Sequence, residues 1–238
     1  MSKTFFVLSV GRSGSTSLTR SFSYAKNAKL FHEPIGGTNP YLKGVAENQK
    51  LNHPFTVKEI FEGFRKKAVD AVLDSGLIYG ELTPMLGYVS QGMLESYPDS
   101  KVIWLLRNPL TWVRSACHAN FQDGEFKKVC HHWFDLTMHL ASGYYGATKQ
   151  NRCMVKLEDL TTKRKYDLYK WLGLEPVHDG AKEWMEKEFN EHKYLGPKWC
   201  PHPDNWRDDV EWKHYNTYIE PLLQDVLTPT LNLYSKTF

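Results

Sequence analysis

Phe5-Phe6-Val7-Leu8-Ser9-Val10-Gly11-Arg12-Ser13-Gly14-Ser15-Thr16-Ser17-Leu18 carries an apolar run directly into a turn of glycine and serine. The run predicts a buried strand, and the turn predicts a helix that opens at Ser15. A turn of this kind aims several backbone N–H groups and the positive end of a helix dipole at one point. Ser13, Ser15 and Thr16 add hydroxyl donors around it, so the stretch reads as a cradle for phosphate or sulfate. A nucleotide-hydrolysing P-loop reads G-x-x-x-x-G-K-[ST] and would place lysine where Ser15 stands. The cation in this turn is instead Arg12, which approaches from the loop side and can fork two N–H bonds onto an anion.

The same alternation continues along the chain. Short apolar runs recur between stretches of helical period, the pattern of parallel strands joined by crossover helices. Strands are predicted near Thr4 to Val10, Lys29 to His32, Leu77 to Glu81, Lys101 to Arg107 and Cys153 to Leu157. Helices are predicted over Ser15 to Tyr24, Val57 to Leu73, Met85 to Tyr97, Leu110 to Asn120, Glu125 to Ala147, Thr161 to Leu172, Ala181 to His192 and Asp208 to Leu227. Gly36 to Pro54 and Gly196 to Trp206 read as long surface loops of the kind that cover a site. The fold class is α/β, a single domain over residues 1–238 with a central parallel β-sheet flanked by helices.

Composition narrows the function. With 238 residues, 41% hydrophobic and 24% charged, the chain has the make-up of a soluble globular protein. The first strand begins within a few residues of Met1, which leads to the expectation of a cytoplasmic protein without a signal peptide or membrane anchor. A net charge of +3 from interspersed residues carries no nucleic-acid footprint. Cys117, Cys130, Cys153 and Cys200 are widely spaced and read as reduced thiols. Arg65-Lys66-Lys67 and Lys163-Arg164-Lys165 read as solvated helix surfaces, with steering of an anionic cofactor or acceptor as the alternative for either run. His131, Asp135 and His139 share a helix face, but Val129, Trp133, Leu136 and Leu140 define the opposite, buried stripe, so the row reads as solvated and no metal site is assigned. Of the aromatic residues, most belong to the core, and Trp199, Trp206 and Trp212 have no pattern that fixes them elsewhere.

Four stretches fall where predicted strands end, and in an open parallel sheet ligands collect at the carboxyl ends of strands. The first is the turn at Gly11. The second is Phe31-His32-Glu33-Pro34, which puts a carboxylate just before a proline. The third is Tyr79-Gly80-Glu81-Leu82-Thr83-Pro84, and the fourth is Val102 to Pro109, an apolar strand that terminates in Arg107 and leads to a helix carrying Ser115.

Through most of its length this sequence resembles the PAPS-dependent sulfotransferases, which move a sulfuryl group from 3′-phosphoadenosine 5′-phosphosulfate to an acceptor hydroxyl or amine. The resemblance implies a P-loop-like sulfotransferase fold, with Arg12, Ser13, Gly14, Ser15 and Thr16 on the 5′-phosphosulfate. It likewise implies that Arg107 and Ser115, flanking Asn108 and Pro109, hold the 3′-phosphate. Gly80 to Pro84 and Leu157-Glu158-Asp159-Leu160 resemble family landmarks, and Asn205 to Leu222 is similar to the last helix of carbohydrate and tyrosylprotein members. Members acting on phenols and steroids carry lysine where Arg12 stands and use a later histidine base. The Glu33-Pro34 pair resembles instead the carbohydrate branch, in which a strand-two glutamate is the base.

Sulfuryl transfer should pass through an in-line transition state in which positioning and electrostatic stabilisation dominate. Arg12 is therefore expected to act on the leaving phosphate and Glu33 to take the acceptor proton, with His32 as its competitor. Glu81 is the weaker candidate, and its ordinary reading is an ion-pair partner inside the sheet layer. No metal is required. The acceptor class implied is a carbohydrate or other hydroxylated metabolite. A P-loop kinase-like phosphotransferase using ATP is the alternative enzyme, and a nucleotide-binding protein without turnover is the alternative outside catalysis. Oligomeric state is not readable from the sequence.

Overall fold

A computed structural model of the chain describes residues 2–11, 13–32, 55–84, 86–108, 112 and 126–177, with the side chains of 126–132 and 134 left aside. In chain order the elements are β1 (Thr4–Ser9), α1 (Ser15–Phe22), β2 (Ala28–His32), α2 (Val57–Phe61), a π-helical turn (Glu62–Lys66), α3 (Lys67–Asp74), β3 (Ile78–Leu82), a 3₁₀ turn (Leu86–Val89), α4 (Ser90–Ser96), β4 (Lys101–Leu106), α5 (Phe126–Gly146), β5 (Arg152–Lys156), a 3₁₀ turn (Leu157–Asp159) and α6 (Thr162–Leu172). All five predicted strands form. The predicted helices over 181–192 and 208–227, and nearly all of that over 110–120, lie outside the described residues, as do the two long loops.

The five strands make one parallel sheet in the order β2-β3-β1-β4-β5. The composition of each strand explains its place. All six residues of β1 are buried, as a central strand covered on both faces requires. In β4 only Lys101, at the entry, is partly exposed. The edge strands β2 and β5 mix polar and apolar residues and are mostly half-buried. Alternation along β1 and β4 sends Phe6, Leu8, Val102 and Trp104 to one face, where they pack with Phe61, Val69, Met93 and Leu136. Phe5, Val7, Ile103 and Leu105 go to the other, against Leu18 and Phe22 of α1 and Leu168 and Leu172 of α6. The result is three layers, helix on sheet on helix. Gly80 permits the closest approach inside the sheet, since a Cβ there would overlap the side chains of Phe5 and Leu30.

Two helices depart from the expected outline. The stretch expected to run unbroken from Val57 is capped by a Thr56–Glu59 capping box and interrupted by the π turn. The stretch expected from Met85 begins as the 3₁₀ turn and becomes α-helical only at Ser90. No helix among the described residues is long and apolar enough to cross a membrane.

The connection leaving β1 leads to β2 on one side of the sheet, whereas the connection leaving β4 leads to β5 on the other. The carboxyl ends of β1 and β4 therefore flank a topological switch point, where open α/β sheets bind their ligands. Ser9 pairs with Leu105, so continuing that register two residues brings Gly11 level with Arg107.

Candidate anion-binding site at the carboxyl ends of β1 and β4

Gly14 is the N-cap residue of α1 and adopts φ 85°, ψ 14°, the left-handed region that glycine enters without steric cost. A Cβ at Gly14 would also overlap Leu157 Cδ1. Among the described residues no side chain caps this helix end, and no acidic residue stands in its first turn. Among those residues, therefore, the N–H groups and the positive end of the dipole meet no negative partner. Ser13 is fully buried, and its Oγ has no hydrogen-bond partner among the described residues. A buried hydroxyl in that state is expensive unless a ligand completes it. Ser15 Oγ lies 3.2 Å and Thr16 Oγ1 3.5 Å from His32 Nε2.

Lys165 corrects the sequence reading of its charge run. Lys163 and Arg164 are exposed, but Lys165 is only 1% exposed and donates from Nζ to Ser17 Oγ at 3.2 Å. A charged amine is thereby buried beside the first turn of α1. The period explains it: Lys165, Leu168, Tyr169 and Leu172 lie on the stripe that α6 buries. Arg65 is corrected for the same reason. It shares a buried stripe with Phe61, Val69 and Val72, whereas Lys66 and Lys67 stay exposed.

The partner of Arg65 is Glu81. This carboxylate is fully buried and accepts from Arg65 Nε at 3.1 Å, from Tyr79 Oη at 2.6 Å and from Thr83 Oγ1 at 2.8 Å. Glu81 is therefore an ion-pair partner inside the layer rather than a group presented to an acceptor.

The β4 end is braced from two directions. The Asn108 N–H donates to Glu158 Oε1 at 3.0 Å, and Trp112, whose N–H reaches the Asn108 carbonyl at 2.9 Å, donates from Nε1 to the Gly11 carbonyl. Trp112 is nearly buried beside Trp133, with ring centroids 6.4 Å apart. One short segment after β5 thus touches both loops, Leu157 against Gly14 and Glu158 against Asn108, and one indole ties the loops together. The resemblance marked Leu157 to Leu160 only as a landmark, and Trp112 carried no signal in the sequence at all.

Of the residues predicted for the site, Ser13, Gly14, Ser15 and Thr16 gather at the start of α1, and Arg107 sits half-buried at the end of β4. Arg12, Glu33 and Ser115 lie outside the described residues. Asp135 and His139 are exposed on α5, and the His139 ring packs on Tyr88 with centroids 4.7 Å apart.

Comparison with known proteins agrees with this fold. Residues 4–192 match the family described as "Sulfotransferase domain". No curated protein is significantly similar to the sequence. Among solved structures, sulfotransferase STF9 from Mycobacterium avium superposes with a TM-score of 0.57 at 14% identity, over 98% of this chain and 76% of that one. The sulfotransferase domain of the Synechococcus PCC 7002 olefin synthase gives 0.52 at 16% identity, over 84% and 89%. Mouse sulfotransferase SULT7A1, solved with PAP, gives 0.50 at 15% identity, over 80% and 66%. At these identities the structures speak for the fold, while the family match spans most of the sequence, and the chain belongs to the sulfotransferase-domain family.

Proposed function

We propose that this chain is a PAPS-dependent sulfotransferase of the carbohydrate and tyrosylprotein type, and that residues 193–238 complete the same domain. It would move a sulfuryl group to a hydroxyl of a carbohydrate or other hydroxylated metabolite. The observation that carries the reading is the start of α1 behind left-handed Gly14, without a side-chain cap among the described residues and tied through Gly11 to Trp112 in the segment that follows Arg107. The nucleotide is anionic at both ends. The residues present fit it: the buried Ser13 hydroxyl, without a partner among the described residues, and the N–H groups of the α1 start suit oxygen acceptors at one loop, and Arg107 brings a guanidinium to the other.

PAPS supplies an activated sulfuryl group as a mixed anhydride. Ser13 to Thr16 would hold its 5′ end, Arg12 would stabilise charge on the leaving phosphate, and Arg107 with Ser115 would hold the 3′-phosphate. Glu33, which follows the last residue of β2, would take the acceptor proton, a contribution of about 10²- to 10⁴-fold. The SULT7A1 complex with PAP supports the nucleotide assignment by analogy of fold.

Calorimetry with PAP and with ATP tests the cofactor: PAP should bind more tightly, and tighter ATP binding overturns the proposal in favour of a phosphotransferase. Transfer from radiolabelled PAPS across sugars, phenols, lipids and peptides tests the acceptor class, with hydroxylated sugars expected to accept. Glu33→Gln should then lose turnover while keeping PAP affinity, and full turnover in that variant removes Glu33 as the base.

A further inference from the structure

His32 ends β2 on the face that α1 covers. Ala28 and Leu30 pack toward that layer, whereas Phe31 turns the other way and stacks on Tyr79 with centroids 5.0 Å apart. The imidazole therefore meets the first turn of α1, where a single nitrogen, Nε2, stands 3.2 Å from Ser15 Oγ and 3.5 Å from Thr16 Oγ1. Ser13, with its buried Oγ unpartnered among the described residues, belongs to the same turn.

One nitrogen facing two hydroxyls makes their orientation a joint choice. A hydroxyl has one donor hydrogen and two acceptor lone pairs, and a neutral imidazole nitrogen is either a donor or an acceptor. If Nε2 is bare, it draws an O–H toward itself and spends the donor that an anion would need. If Nε2 carries the proton, it donates to the hydroxyl oxygens and leaves their O–H bonds to turn toward the helix N-terminus.

We propose that His32 is the positioning residue of this loop, donating its Nε2–H to Ser15 and Thr16 so that both hydroxyls point their hydrogens at the bound anion. The inference rests on the sulfotransferase reading of the site and deepens it. His32 acts through the two hydroxyls at the cofactor end. Nε2 is then committed to the loop and is not the atom that takes the acceptor proton, which separates the roles of His32 and Glu33.

The test is ¹⁵N spectroscopy of the histidine rings in the full chain with and without PAP, the His32 signals assigned by their loss in His32→Gln. With PAP at saturation the ring should show a protonated Nε2, and a bare Nε2 in that complex overturns the inference. In parallel, His32→Leu should weaken PAP binding about tenfold, the equivalent of one ordinary hydrogen bond. His32→Gln, whose amide N–H reaches close to the place of Nε2, should recover to within about threefold of wild type. Equal affinity in His32→Leu and wild type overturns the inference, as does a His32→Gln variant no better than His32→Leu. Failure of the wild type to bind PAP at all is a different result, since it removes the phosphosulfate reading on which the inference stands.

Discussion

Replacing Glu81 by alanine should damage stability and leave nucleotide recognition nearly intact. The carboxylate is fully buried, Arg65 is 5% exposed, and Tyr79 and Thr83 also donate to Glu81. Removing one partner of a buried ion pair costs about 3–5 kcal/mol, because the other charge stays behind without compensation. Counting the three donors named here at about 1.5–3 kcal/mol each gives a larger sum, but groups in one network are not additive, so the pair figure is the better guide. For a chain of this length 1 kcal/mol moves the melting temperature by about 2–4 °C, and the expected loss is therefore about 6–20 °C. Urea unfolding followed by far-UV circular dichroism measures the free energy, and calorimetry on the folded variant measures PAP affinity. The double variant Arg65→Met with Glu81→Leu removes both charges and should recover at least half of the loss, since apolar replacements of a buried pair are often neutral or better. An alanine variant as stable as wild type but unable to transfer sulfate would refute the reasoning and return Glu81 to the list of catalytic candidates.

Three further outcomes follow from the same geometry. Gly14→Ala should destabilise α1 by about 1–2 kcal/mol through its left-handed φ alone, with a further penalty from the overlap with Leu157, and should weaken PAP binding; a variant with unchanged melting and affinity contradicts the cradle. Trp112→Phe removes the indole bond to the Gly11 carbonyl and should cost about 0.5–1.5 kcal/mol of stability while lowering PAP affinity. Wild-type affinity in that variant would show that the two loops hold their places independently. Burial pushes the Cys153 thiol up, only partly countered by Arg164. Its alkylation, read by peptide mass spectrometry, should therefore lag behind a free cysteine peptide at pH 8 and rise with pH as the thiolate forms, and a rate equal to the peptide's contradicts that environment.

What was legible in the sequence and what was not divide along one physical line. Central strands announced themselves because burial on two faces demands unbroken apolar runs, as in Phe5 to Leu8 and Val102 to Leu106. The Gly14 turn was legible because a strand, a small-residue turn and a helix start are all local. Arg65 and Lys165 differ from the surface reading because a run of like charge looks like one solvated face, whereas the period places the first residue of one run and the last of the other on buried stripes. The spacing itself carries that signal: Phe61, Arg65, Val69 and Val72 recur at helical spacing, as do Lys165, Leu168 and Leu172.

Trp112, Leu157 and Glu158 pose a different problem. Their partners Gly11, Gly14 and Asn108 lie far from them along the chain, and no local pattern encodes a contact of that range. Yet these contacts tie the two strand-to-helix loops to one another. Each loop by itself is a common strand-to-helix turn that would accept any phosphate or sulfate. On the proposed reading, a nucleotide charged at both ends would be selected by the distance between the loops, and the residues that hold that distance would carry specificity without touching the ligand. Sequence motifs locate the candidate donors, and the bracing residues, visible only in the fold, would then decide which dianion those donors can grip together.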